Sequence, residues 1–177
     1  MPDIAAQTCD REVVTEYSST TSRAVIQHDL TADSNIYASL SEGFKAGGYA
    51  TYECTEPYDP EEVTSLEFGF KGSLGENTSL NASLFRYDYT DFQVLQVVGI
   101  QTVTRNAGDA TVNGLELEAL TNVSDSLTLN YGVTLLDATY GDFLNTNGLE
   151  PQLGVQQLEG NYLTNAPKVS INLGLNY

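Results

Sequence analysis

Tryptophan is absent from this chain of 177 residues, methionine and histidine occur once each, and cysteine occurs twice. The single histidine, His28, excludes a multi-histidine metal site and leaves no partner set for a histidine-centred triad. Cys9 and Cys54 lie far apart and neither belongs to a Cys-x-x-Cys pair, which argues against a metal knuckle or a thioredoxin-like centre. Basic residues are scarce: Lys and Arg total 7 against 24 Asp and Glu, a formal charge of −17. Such a surface repels phosphate backbones, so nucleic-acid binding is excluded. No run of about 18 apolar residues is present, so no transmembrane helix is encoded. The start Met1-Pro2-Asp3-Ile4 also lacks the basic-then-apolar pattern of a secretory signal. Any membrane role must therefore use strands. What is plentiful fits that route, since Tyr (11 copies), Thr, Asn, Gly and Val suit strands and turns better than helices.

The clearest pattern is period-two alternation, which sends successive side chains to opposite faces of a strand. From 127 to 135 the odd row is Leu127, Leu129, Tyr131, Val133 and Leu135, against Thr128, Asn130, Gly132 and Thr134. From 169 to 177 Val169, Ile171, Leu173, Leu175 and Tyr177 oppose Ser170, Asn172, Gly174 and Asn176. Between 113 and 119 Leu115, Leu117 and Ala119 oppose Gly114, Glu116 and Glu118. Further strands are expected at about 20–31, 34–44, 62–73 and 78–95. In the last of these Leu80, Ala82 and Leu84 hold one face, then Phe85, Tyr87 and Tyr89 hold the other, which predicts a bulge or an aromatic rim. No segment has a convincing helical period.

The connections sort into two kinds. Short, turn-rich links fall at 31–34, 75–77 and 122–125, and long ones between them at about 45–61, 97–109 and 139–166. The order short, long, short, long arises when antiparallel neighbours in an all-β, up-and-down meander of about seven strands keep every tight turn at one end. Transmembrane β-barrels of the outer-membrane kind are built this way, with short periplasmic turns, long extracellular loops and an apolar outer row. A secreted, soluble β-sandwich serving as a binding or adhesion module would show the same rows turned toward a second sheet. Periodicity alone does not separate the two, but the rows must be covered. Burying Leu127 to Leu135 is worth on the order of 10 kcal/mol at about 1.5–3 kcal/mol per large side chain.

Residues 37–49, Tyr37-Ala38-Ser39-Leu40-Ser41-Glu42-Gly43-Phe44-Lys45-Ala46-Gly47-Gly48-Tyr49, resemble a barrel segment of the TonB-dependent outer-membrane receptors. Pro60-Glu61-Glu62-Val63-Thr64-Ser65-Leu66-Glu67-Phe68-Gly69-Phe70-Lys71 and Ala82-Ser83-Leu84-Phe85-Arg86-Tyr87-Asp88-Tyr89-Thr90-Asp91-Phe92-Gln93-Val94 are similar to the segments that follow in that family. Asn106-Ala107-Gly108-Asp109-Ala110, Gly114-Leu115-Glu116-Leu117-Glu118 and Ala166-Pro167-Lys168 continue the series in the family's order. The resemblance covers about 22–177. It implies a partial barrel domain over 1–177, with 1–19 an extracellular loop or irregular segment and 20–177 strands with short periplasmic turns and long extracellular loops. The family's plug domain and closing strands have no counterpart here, as expected for an internal piece of the C-terminal half of a barrel of about 22 strands.

The implied function is energy-coupled uptake of a nutrient, most often a ferric siderophore, across the bacterial outer membrane, without enzymatic activity and without a cofactor. The implied partners are outer-membrane lipid, the ligand, and the TonB energy-transducing protein acting through the plug. Loop aromatics that could contact ligand are Tyr49, Tyr52, Tyr58, Tyr140 and Phe143, since aromatics supply rigid contact area at low entropic cost. Anchoring at the membrane interface is the competing role for the same residues. In this topology Cys9 precedes the first strand on the extracellular side and Cys54 lies in the next extracellular loop. A disulfide between them and two free thiols are both compatible with that placement.

Other constellations have plainer explanations. Glu61 with Glu62, Glu116 with Glu118, and Asp88 with Asp91 lack the His, Cys or Lys partner that acid–base chemistry would need, and suit solvated or lumen-facing positions. The glycines of 43–48 have the wrong spacing for a phosphate loop and precede no helix. Glu53, Glu56, Asp59, Glu61 and Glu62 lack the Gly-centred spacing of a calcium loop and read as a hydrated acidic loop.

Overall fold

The computed structural model describes residues 14–49, 57–98, 101–146 and 150–177. Thirteen strands run in chain order among the described residues: β1 (Arg23–Thr31), β2 (Ser34–Lys45), β3 (Gly48–Tyr49), β4 (Pro57–Tyr58), β5 (Glu61–Leu74), β6 (Thr78–Thr90), β7 (Gln93–Val98), β8 (Gln101–Asn106), β9 (Ala110–Ser124), β10 (Leu127–Tyr140), β11 (Leu144–Thr146), β12 (Val155–Gln157) and β13 (Val169–Asn176). Seven of them form one antiparallel sheet in the order β1-β2-β5-β6-β9-β10-β13. The other six pair two by two into small ribbons, β3 with β4, β7 with β8 and β11 with β12.

The meander is the one expected, with sharper boundaries. Tight turns at Ala32-Asp33, Gly75-Glu76-Asn77 and Asp125-Ser126 join β1 to β2, β5 to β6 and β9 to β10 at one end of the sheet. Gly75 takes φ +68 there, a backbone conformation glycine enters without steric cost. The three long connections leave from the other end, and each carries one ribbon. The expected strand over 78–95 is in fact two, because β6 stops at Thr90, Asp91 turns with φ +52, and β7 starts at Gln93. Likewise 97–109 is no plain loop, since its residues from Gln101 to Asn106 form β8. Asn122 to Ser124 belong to β9 and not to the turn.

The change of parity after Leu84 needs no bulge. β6 keeps unbroken register with β5 from Thr78 to Thr90 and with β9 from Thr78 to Tyr89. Backbone alternation continues; what changes is which face carries the apolar residues. Cross-strand partners share a face, so the pairing assigns one side to Ile36, Ala38, Leu40, Leu66, Phe68, Phe70, Leu80, Ala82, Leu84, Leu115, Leu117, Leu129, Tyr131, Val133, Ile171 and Leu173. Past Leu84 the same side turns polar with Arg86, Asp88, Asn113 and Asp137, while Phe85, Tyr87 and Tyr89 rise on the opposite side.

Among the described residues no second layer covers the apolar side. Ile26, Phe68, Leu84, Ile171 and Leu173 are 73%, 52%, 58%, 71% and 75% exposed. The accessible surface is 12473 Å², half again the value of about 8,400 Å² for a compact monomer of 19.2 kDa. A sandwich would bury those rows, so the soluble-sandwich alternative fails on this geometry. The sheet does not close on itself: β1 and β13 are its two edges.

Candidate functional site: the long-connection end and the two faces of the sheet

Buried side chains gather at one place. Among the described residues Val103, Ala107, Ala110, Ala138 and Phe143 are the deeply buried apolar residues apart from Ala119, and all five lie at or near the end where the long connections leave the sheet. Small residues there let the connections approach closely. Gly108 passes against the backbone of Asp142, and the Gly141 N–H donates to the Asp109 carbonyl at 2.8 Å, tying the β6–β9 connection to the β10–β13 connection. The Gln157 side chain then donates to Asp142 at 2.7 Å and accepts from the Phe143 N–H at 3.2 Å. The segment 158–163 returns along β10: Tyr140 N–H donates to Asn161 and Leu163 N–H to Ala138, both at 2.9 Å. It extends the edge of β10 beyond the point where β13 begins.

An aromatic chain crosses the same region. Phe85 stacks on Tyr87 at 4.8 Å between centroids. Tyr89 meets Phe92 at 5.2 Å, Phe92 meets Tyr140 at 6.4 Å, and Tyr140 meets Phe143 at 5.3 Å. Of the sequence-predicted residues, Tyr140 and Phe143 are thus brought together, with Phe143 only 8% exposed and packed inside the connections. Tyr49 and Tyr58 sit on the β3–β4 ribbon, in register with Pro57 and Gly48, and the Tyr58 carbonyl accepts from the Tyr17 hydroxyl at 3.4 Å. Tyr52, Cys9 and Cys54 lie outside the described residues.

Two carboxamides that composition and periodicity gave no reason to single out join these connections. The Asn106 Oδ1 accepts from the Asp59 N–H at 2.7 Å, while its Nδ2 donates to the carbonyls of Asp59 at 3.0 Å and Asp91 at 2.7 Å. Gln93 Nε2 donates to the carbonyls of Ala46 and Asp59, both at 3.1 Å, and the Gln93 N–H donates to Glu61 Oε2 at 2.7 Å. Gln96 donates to Asn145, linking the β7–β8 ribbon to the last connection. Polar residues in alternating strands look solvated in a sequence, and only the packing of the connections gives them partners.

The two faces of the sheet differ in chemistry. On the polar one the Tyr37 hydroxyl donates to Glu67 at 2.6 Å, and Lys71 Nζ stands 5.2 Å above the Tyr37 ring. A cavity of about 220 Å³ beside them is lined by Tyr37, Glu67, Lys71, Asn81, Glu116 and Glu118. On the apolar one an open groove of about 560 Å³ is lined by Ile26, His28, Ile36, Phe68, Phe70 and Leu84 among others. His28 stands there in register with Ile36, with no carboxylate among the groove's lining residues. Of the paired carboxylates, Glu61 and Glu62 separate, since alternation puts them on opposite faces in register with Lys45 and Phe44, whereas Glu116 and Glu118 share the polar face and the cavity there.

A single-layer antiparallel sheet, apolar on one side and polar on the other, with tight turns at one end and packed connections at the other, is the wall of a membrane barrel. The model of the TonB dependent receptor-like β-barrel family matches residues 6–177. The chain belongs to that family. Among curated relatives of this TonB-dependent receptor barrel, the probable TonB-dependent siderophore receptor PiuA of Acinetobacter baumannii is 32% identical over 124 residues, 67% of this chain and 16% of that protein. The pesticin receptor of Yersinia enterocolitica is 33% identical over 95 residues, 51% of this chain and 14% of that protein. Among solved structures, the ferric yersiniabactin uptake receptor FyuA of Yersinia pestis aligns over 86% of this chain and 22% of its own, with TM-score 0.66 and 21% identity. The siderophore receptor PiuA aligns over 88% of this chain and 23% of its own, with TM-score 0.61 and 23% identity. The chain therefore spans less than a quarter of each of these relatives. At these identities the structural likeness establishes the fold, and the family, one of transport receptors and not of enzymes, is established by the sequence match.

Proposed function

We propose that this chain forms part of the wall of a bacterial outer-membrane receptor that imports a ferric siderophore with energy delivered through TonB. The observation that carries the reading is the seven-strand sheet whose apolar face no other layer covers among the described residues, while its other face bears Tyr37, Glu67, Lys71, Glu116 and Glu118. Lipid is the solvent that such a face requires, because seven strands of exposed Leu, Ile and Phe in water would aggregate. The polar face then meets the lumen. The tight turns are periplasmic, and the three long connections are extracellular. The siderophore class is supported by the likeness to PiuA, a probable TonB-dependent siderophore receptor, and to FyuA, a ferric yersiniabactin uptake receptor.

In this orientation Tyr49, Tyr58 and Tyr140 stand at the ligand-facing end, with Phe143 supporting Tyr140 from inside, and Tyr52 is proposed as a further ligand contact. A disulfide between Cys9 and Cys54 is proposed as part of the same reading. The ligand would meet these segments together with a plug, and TonB would act on the plug. The test is uptake of ferric siderophores carrying radioactive iron by iron-starved cells with and without the gene for the whole receptor, and with TonB removed. Accumulation that needs both is expected. Uptake indifferent to the receptor across hydroxamate, catecholate and mixed-ligand siderophores would overturn the reading.

A further inference from the structure

Gln93 and Asn106 face each other as the first rung of the β7–β8 ribbon, and both carboxamides reach out of that ribbon to the connection between β2 and β5. Asp59 receives the full set. Its N–H is taken by Asn106 Oδ1 at 2.7 Å, and its carbonyl accepts from Asn106 Nδ2 at 3.0 Å and from Gln93 Nε2 at 3.1 Å. Asn106 thereby offers Asp59 the donor–acceptor pattern that a neighbouring strand would offer, from a side chain instead of a backbone. Only a carboxamide does this, because a carboxylate has no donor and a hydroxyl cannot reach both groups at once. The third Asn106 bond, to the Asp91 carbonyl at 2.7 Å, holds the residue with φ +52 that ends β6, so the rung is fixed to the barrel strand below it. Gln93 completes the joint by bonding Ala46 on the far side of the same connection and Glu61 at the start of β5.

We propose that Asn106 and Gln93 are positioning residues that lock the β2–β5 connection, which carries Tyr49 and Tyr58, to the β7–β8 ribbon. The two long connections then present one ligand-facing surface and not two independent flaps. The second joint, Gly141 to Asp109 with Gln96 to Asn145, adds the β10–β13 connection to the same body. Loops held apart would each have to be ordered on binding, whereas a joined set is ordered beforehand and loses less entropy when ligand arrives. The inference rests on the proposed receptor only for what the locked surface would bind.

The experiment is hydrogen exchange, read by mass spectrometry on the whole receptor in lipid nanodiscs without ligand. In the native receptor the amides of Asp59 and Gln93, each bonded to a side chain from another part of the chain, should exchange well below their intrinsic rates. Asn106→Ala should raise exchange in the peptide covering 57–62 by about tenfold or more, because the Asp59 N–H loses its acceptor and the Asp59 carbonyl one of its donors. Asn106→Asp should do the same, since it keeps the acceptor and loses both donors. Strand peptides over 63–74 and 78–90 should not change, which separates a positioning role from a general loss of barrel stability. Unchanged exchange at 57–62 in both variants, or an equal rise along β5 and β6, would overturn the proposal. If neither variant inserts, the native receptor still decides: intrinsic-rate exchange at Asp59 refutes the joint and protection supports it. No siderophore enters the measurement, so this proposal and the uptake reading fail independently.

Discussion

The Tyr37 ring lies over Gly69, its direct partner on the adjacent strand, and its hydroxyl donates to Glu67, the diagonal neighbour, at 2.6 Å. Glycine is required under that ring, because a Cβ at position 69 would collide with it. Phe85 covers Gly114 in the same way two strands further along, also on the polar face. An aromatic laid over a cross-strand glycine fills the gap left by the missing side chain and shields the backbone, a device that helps sheets bend and keep register.

Gly69→Ala in the whole receptor should therefore destabilise the barrel by about 1–3 kcal/mol through crowding. Tyr37→Phe, which keeps the ring and loses only the bond to Glu67, should cost about 1 kcal/mol. The heat-modifiable shift on denaturing gels gives both midpoints. A larger loss in Tyr37→Phe than in Gly69→Ala would show that the hydroxyl, and not the ring over glycine, organises this site.

Face assignment is tested on β10. Leu129→Arg, on the row expected to meet lipid near the midplane, should cost about 2–4 kcal/mol, and Asn130→Arg far less. Spin labels on Leu129→Cys, Tyr131→Cys and Val133→Cys should relax with oxygen dissolved in the bilayer. Labels at Asn130, Gly132 and Thr134 should respond to a water-soluble relaxant. Equal accessibility of both rows would show the assignment of faces to be wrong.

Phe143 belongs to the small core formed by the connections, so its truncation should be felt locally. Phe143→Ala should cost about 3 kcal/mol in that core. The Leu158 amide, which donates to the Phe143 carbonyl at 2.8 Å, should lose protection while amides of β5 and β6 keep theirs. A fall in barrel stability with unchanged exchange at Leu158 would contradict this division.

The cysteines give a simple chemical test. A disulfide between Cys9 and Cys54 should appear in receptor taken from the outer membrane as a mass two hydrogen atoms lighter, with no thiol open to alkylation without reductant. It would contribute on the order of 3–4 kcal/mol in the chain-entropy model. Two alkylatable thiols would refute the bond.

Much of the architecture could be read directly. The rows Leu127 to Leu135 and Val169 to Leu175 mark strands and their apolar face without any structure, because period two is a property of the extended backbone. The turns at 32–33 and 75–77 follow from Asp, Asn, Ser and Gly in short links, and the ordered motifs identify the family. The register of β6 after Leu84 was not legible: a bulge and an inversion of face chemistry write the same residues, and only the unbroken pairing to β5 and β9 separates them.

The sequence by itself determined the seven-strand meander, its order and the two kinds of connection, though not the ribbons inside the long ones, since the meander depends on neighbours within a few residues and on the energy of covering apolar rows. Tertiary structure alone decided how the connections meet: that Asn106 and Gln93 hold Asp59 across 47 and 34 residues of chain, and that Phe143 turns inward onto Tyr140. The physical reason lies in the range of the interactions. Alternation is local and repeats down a strand, whereas a carboxamide finds its partner only after distant segments have been brought within hydrogen-bond distance.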